Sequence, residues 1–204
     1  MLLTHTLFTK LLLLCFANTS VAPTNTTPPI TINIVYDTTA SAVRNADTIF
    51  YTPIKKLNWS NFKASVPTPN ASGNVANSSV GFLFRASMVG NSKGTTVNIT
   101  IKSYFIPSSS WGVAKNKTEY ILAHEQLHFD IARLGAAMLT ANLRNATYTT
   151  SNLSQQLTSM YQKSWDSYLA LQAKYDKETN HSIIKTEQEK WNSKVQNELK
   201  NVAL

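Results

Sequence analysis

Cysteine is nearly missing from this chain: Cys15 is the single one in 204 residues. That excludes a disulfide framework, and it excludes zinc held by thiolates. Any metal must be held by histidine and carboxylate. Long apolar runs are also lacking. Leu11 to Ala17 is the longest near the N-terminus, well short of the roughly 20 residues that a membrane span needs. There is no internal repeat and no extended low-complexity tract. The formal charge of +8 brings no nucleic-acid motif with it. Lys163, Lys174, Lys177, Lys185, Lys190, Lys194 and Lys200 are scattered along helical stretches, several beside Asp or Glu, and read as a solvated face. No nucleic-acid partner is expected.

What the chain does contain begins with an export signal. Lys10 closes a mildly basic start, Leu11 to Ala17 is a short apolar core, and Ser20-Val21-Ala22 offers small residues for cleavage after Ala22. Cys15 raises the rival of a lipid anchor, but Leu14 before it is not small. The expected organisation is a signal peptide at 1–22, a Pro/Thr/Asn linker at 23–29, and one domain at 30–204. The location that follows is periplasmic or secreted.

Within the domain, Ile30 to Tyr36 alternates apolar and polar residues as a half-buried strand does. Val80 to Met88 and Thr95 to Phe105 read as two more strands joined through Gly90 to Gly94. From Thr118, a fair N-cap, a helix runs to about Arg144, with Leu127, Ile131, Leu134 and Met138 forming one stripe. Further helices are expected at about Leu153 to Tyr175 and Ser182 to Leu199. Strands followed by helices indicate an α+β domain.

The chemistry sits at His124-Glu125-Gln126-Leu127-His128. Two histidines four apart in a helix lie about 40° apart around its axis and about 6 Å apart along it, so both can reach one ion. Glu125 points about 100° away, where it flanks that ion and can take a proton from a bound water. Four histidines occur in the chain, and beyond His5 the motif uses two of the other three. A zinc site with one position left for water needs a third protein ligand. Asp130 lies on the far side of the helix. A helical hairpin should bring Tyr175 to His181 back to the level of the motif. The third ligand is therefore expected to be His181, with Glu178 as the alternative carboxylate and Asp176 a further one. Tyr175 could stabilise a transition state, although a core role is the better reading of a tyrosine there.

Ala123 to Ile131 resembles the signature of a bacterial family described as predicted secreted zinc-dependent proteases, long classed as a domain of unknown function. Leu57-Asn-Trp-Ser-Asn-Phe62 resembles its Leu-x-Trp-x-x-Phe element, and Ser110-Trp111 its Ser-Trp before the active helix. Tyr175 to His181 and Gln188-x-x-Trp191 resemble its C-terminal block. In two places the chain departs from the pattern: Leu127 and Ser182 stand where glycine is expected. The resemblance implies a zincin-like fold and peptidase activity with Zn2+ as cofactor.

The expectation is therefore an α+β zincin-like domain with a small antiparallel sheet ahead of the active helix, hydrolysing amide bonds with Glu125 as base. Thr95 to Phe105 is the candidate edge strand for an extended substrate. Envelope proteins and peptidoglycan cross-bridges both fit as substrates. The rival is a non-catalytic envelope binding or scaffold protein with a structural metal, for which Glu125 would have no use.

Overall fold

The computed structural model describes residues 29–38, 47–68, 70 and 73–202. The expected signal peptide, and the linker up to residue 28, lie outside the described residues. Six strands precede three helices: β1 (Ile30–Tyr36), β2 (Ile49–Phe50), β3 (Ala76–Asn77), β4 (Val80–Asn91), β5 (Gly94–Phe105), β6 (Trp111–Gly112), α1 (Glu119–Arg144), α2 (Leu153–Thr179) and α3 (Lys185–Lys200). The fold is α+β. No helix among the described residues is long and apolar enough to cross a membrane.

Four strands form the main sheet, and it is mixed, not antiparallel. β1 runs parallel to β5, with Ile30 opposite Thr95. β4 lies antiparallel along β5 with Phe84 opposite Ile101, and β2 adds Phe50 opposite Tyr104. Alternation in β1 reports that one face is half-buried, but it carries nothing about the direction of the neighbouring strand. Thr95 to Phe105 is thus the central strand, not an edge. The local sign is Ile101-Lys102-Ser103, three consecutive buried residues, as expected of a strand covered on both faces. Lys102 pairs there with Asp37 at 2.8 Å. β3 and β6 pair separately.

Thr118 caps α1, its hydroxyl accepting from the Ile121 N–H at 3.2 Å. Leu127, Ile131 and Leu134 are buried as the stripe requires, and so are Phe129, Ala132, Ala136, Leu139 and Leu143 on other faces. A helix apolar on most sides belongs in the middle of a domain. α1 lies there, in contact with β4, β5, α2 and α3. Each fully buried Leu, Ile or Phe contributes about 1.5–3 kcal/mol, which makes α1 the principal source of core stability.

Polar ties fix the elements around α1. Asp130, 1% exposed, accepts from Gln126 at 2.8 Å and from Gln196 of α3 at 2.9 Å. Burial raises its carboxyl above the usual range, with Lys56 and these amides opposing. Gln126 in turn accepts the Leu57 N–H at 2.8 Å. In the same segment, Trp59 donates to the Thr118 carbonyl at 3.3 Å and Phe62 packs edge-on against Phe105. The Leu-x-Trp-x-x-Phe element therefore buttresses the start of α1.

Gly135 faces Phe82 of β4 and Tyr168 of α2. A Cβ there would meet Phe82 Cε1 at 2.7 Å and Tyr168 Cβ at 3.1 Å. Phe82 is wedged among Tyr161, Trp165 and Tyr168 and has little freedom to yield. Helix propensity alone would make Gly135→Ala stabilising by about 1 kcal/mol. The expected result is the reverse, a net loss of about 1 kcal/mol or more from overpacking, read by chemical denaturation.

Candidate metal centre

The helical hairpin of α1 and α2 brings three ligand atoms to one point. His124 Nε2 and His128 Nε2 are 3.3 Å apart. Asp176 Oδ1, from the last turn of α2, lies 3.3 Å from the first and 3.0 Å from the second. That oxygen is buried and makes no hydrogen bond. His124, His128 and Asp176 form a group that could hold a metal ion.

The orientation of both imidazoles is fixed from behind. His128 Nδ1 lies 2.6 Å from Gln172 Oε1, and His124 Nδ1 lies 2.8 Å from Gln188 Oε1. The amide nitrogens are spent elsewhere. Gln172 donates to the His128 carbonyl and the Tyr168 hydroxyl, each at 3.0 Å. Gln188 donates to Asn192 at 2.8 Å and to Tyr175 at 2.6 Å. With oxygen facing each ring, Nδ1 must carry the hydrogen, which leaves the Nε2 lone pairs aimed at Asp176.

Two lone pairs and a carboxylate oxygen repel one another unless a proton or cation lies among them. Burial works against a charge on His128, but Asp176 beside it and Glu125 near it outweigh that and push it up to about 9. Burial likewise opposes the charge on Asp176, and the two imidazoles more than offset it, holding the carboxyl well below its usual range. The donor set and its unsatisfied oxygen fit a divalent cation.

Glu125 is buried at 3% exposure, and its Oε2 accepts from Ser78 Oγ at 2.5 Å. It lines the same cleft as His124, His128 and Asp176, a space of about 200 Å3 walled on one side by residues 74–78.

The residues expected around the site separate into distinct positions. Asp176, the last of the three candidates for the third ligand, is the one grouped with the two histidines. His181 sits beside it, Nδ1 3.5 Å from Asp176 Oδ1, and remains half exposed at the cleft. Glu178 is turned away, accepting from Trp191 Nε1 at 2.8 Å and pairing with Lys174 at 3.8 Å. Tyr175 is packed as a core tyrosine beside His124. Its ring stacks on His124 with centroids 4.6 Å apart, and its hydroxyl lies 2.9 Å from Gln188 Oε1 and 3.3 Å from the His124 carbonyl. Fully buried, it walls the site and does not reach the cleft.

α2 runs four residues beyond the expected Tyr175, to Thr179. Gln172, Tyr175, Asp176 and Thr179 then share one helical face, a spacing that could have singled out Asp176. Beyond it, Asn180, His181 and Ser182 take φ of +47°, +51° and +73°. Three consecutive left-handed residues without a glycine are costly. Ser182, where the family resemblance expects glycine, is held there by Tyr120 donating to its carbonyl at 2.7 Å.

Residues 108–182 match the model of a family described as "Bacterial protein of unknown function (DUF922)". The matched stretch is a minority of the chain, but it runs from Ser110-Trp111 through both histidines and Asp176 to Ser182. No curated protein and no solved structure matches the chain.

Two outcomes are expected. Asp176→Ala, like His124→Ala and His128→Ala, should abolish metal retention after gel filtration, whereas His181→Ala should cost about 10- to 100-fold in affinity, as residues beside a ligand do. Metal uptake should also depend on pH. Below about 9 His128 holds a proton that an incoming cation must displace. Apparent affinity should therefore rise about tenfold per unit between pH 6 and pH 8. Calorimetry in buffers of different ionisation heat should count about one proton released per ion.

Proposed function

We propose that the protein is an exported zinc-dependent peptidase of zincin-like build. The observation that carries this reading is the convergence of His124, His128 and Asp176 at the wall of a cleft that Glu125 also lines. Two imidazoles and one carboxylate are a donor set that suits zinc and leaves room for a further ligand. Bound there, zinc would supply Lewis acidity to a carbonyl and to water. Glu125 takes the proton from the attacking water and returns it to the departing amine. Tyr175 and the two glutamines keep the imidazoles oriented.

The substrate is proposed to be an extended peptide, from an envelope protein or a peptidoglycan cross-bridge. β3 is the strand that suits it, because residues 74–78 line the cleft. The Val113 N–H bonds the Val75 carbonyl at 2.8 Å, so Ala76 and Gly112 form the non-hydrogen-bonded pair of this ladder. The peptide groups of Ala76 then point away from β6, where a second chain can pair with them. The signal-like segment ending at Ala22 supports export. A structural metal alone would leave a buried carboxylate at the cleft without a purpose.

Glu125→Gln is the decisive variant. It should keep its metal and lose hydrolysis of a peptide library by a factor on the order of 100 or more. Cleavage at the wild-type rate by the zinc-loaded variant would contradict the reading.

A further inference from the structure

We infer that Ser78 is the positioning residue of the base Glu125, held in place by a clamp centred on Ser110. The inference rests on the peptidase reading and goes beyond it, since Ser78 belongs to no part of the helical motif.

Glu125 is buried, and among the described residues it makes no ion pair. Its carboxylate has one side-chain hydrogen bond, the 2.5 Å bond from Ser78 Oγ to Oε2. The Glu125 carbonyl lies farther from the same hydroxyl, at 3.3 Å, so the single proton of Ser78 goes to the carboxylate. That bond stops rotation of the carboxylate about its last torsion, which is otherwise broad. It also divides the labour of the two oxygens. With Oε2 taken, Oε1 is the one left to accept a proton from water.

The hydroxyl is useful only if its backbone is fixed, and the next residue shows how that is done. The Ser79 N–H donates to Ser110 Oγ at 2.9 Å. Ser110, fully buried, donates to the Ile106 carbonyl at 2.8 Å. The Ile106 N–H returns to the Ser79 carbonyl at 2.9 Å. This closed ring of three bonds pins both backbone groups of Ser79 and thereby the place of Ser78. Trp111, the neighbour of Ser110, pairs with Asn77 in the β3–β6 ladder and holds the same segment from its other end. The Ser-Trp pair thus serves the base from a distance. Because residues 74–78 form the cleft wall, the proposed substrate strand and the hold on Glu125 belong to one segment.

The test compares Ser78→Thr with Ser78→Val, which match in shape and differ in the hydroxyl. Zinc-loaded full-length protein is assayed on fluorescein-labelled casein and on a random peptide library, with Glu125→Gln as the reference. Ser78→Val should lower kcat by about 10- to 100-fold, with KM and zinc affinity unchanged. Ser78→Thr should retain most activity. In the Glu125→Gln background, Ser78→Val should cost nothing more. Equal kcat for the Thr and Val variants would overturn the role of Ser78 while leaving the peptidase reading intact. Should the wild type cleave nothing, the peptidase reading falls, and isotope-edited infrared spectra still decide the contact. The Glu125 carboxylate band should shift in Ser78→Val and not in Ser78→Thr, and an unshifted band in both overturns the inference.

Discussion

Two imidazole nitrogens and a carboxylate oxygen, all within 3.3 Å of one another and largely shut off from water, form a group that must be shared by a positive charge. In a low-dielectric interior such a cluster is expensive unless something compensates it. The surroundings of the site follow from this requirement. α1 supplies the imidazoles from one face, α2 returns the carboxylate, and α3 contributes Gln188 to hold the His124 ring. Core packing keeps the helices close, and the cluster is the reason that they must be.

The compensation is unusual in being neutral on its outer side. Both rings lean on amide oxygens, where metal-bound histidines often lean on carboxylates. Gln172 and Gln188 set the tautomer without adding negative charge. The carboxyl groups at the site are Asp176 and Glu125, one grouped with the two imidazoles and the other lining the cleft beside them. That separation leaves Glu125 with the Ser78 hydroxyl as its side-chain partner.

α1 was legible because helical periodicity, a capping threonine and a two-histidine spacing all lie within about 25 neighbouring residues. The sheet was less so. Alternation in β1 shows which face turns inward but not which way its neighbour runs, and the centrality of β5 rests on β1, whose paired residues lie 65 positions away. Which residue joins the two histidines depended on where α2 stops, and helix ends are the least determined feature of a local pattern. Four extra residues carried Asp176 into the helix and left His181 on the turn. Ser78 was invisible, because its bond to Glu125 spans 47 positions and no periodicity connects them.

The hairpin of α1 and α2 acts as a pair of phased screws. One residue inserted between Ser164 and Gln172 would turn everything beyond it by about 100° and advance it by about 1.5 Å, carrying Asp176 off the axis of the two imidazoles. The same insertion between Asn145 and Asn152, where the helices are joined outside both, lengthens a loop and leaves the phase untouched. Length changes in this fold are therefore admissible at the hairpin's closed end and forbidden along its arms, whatever the inserted residue is.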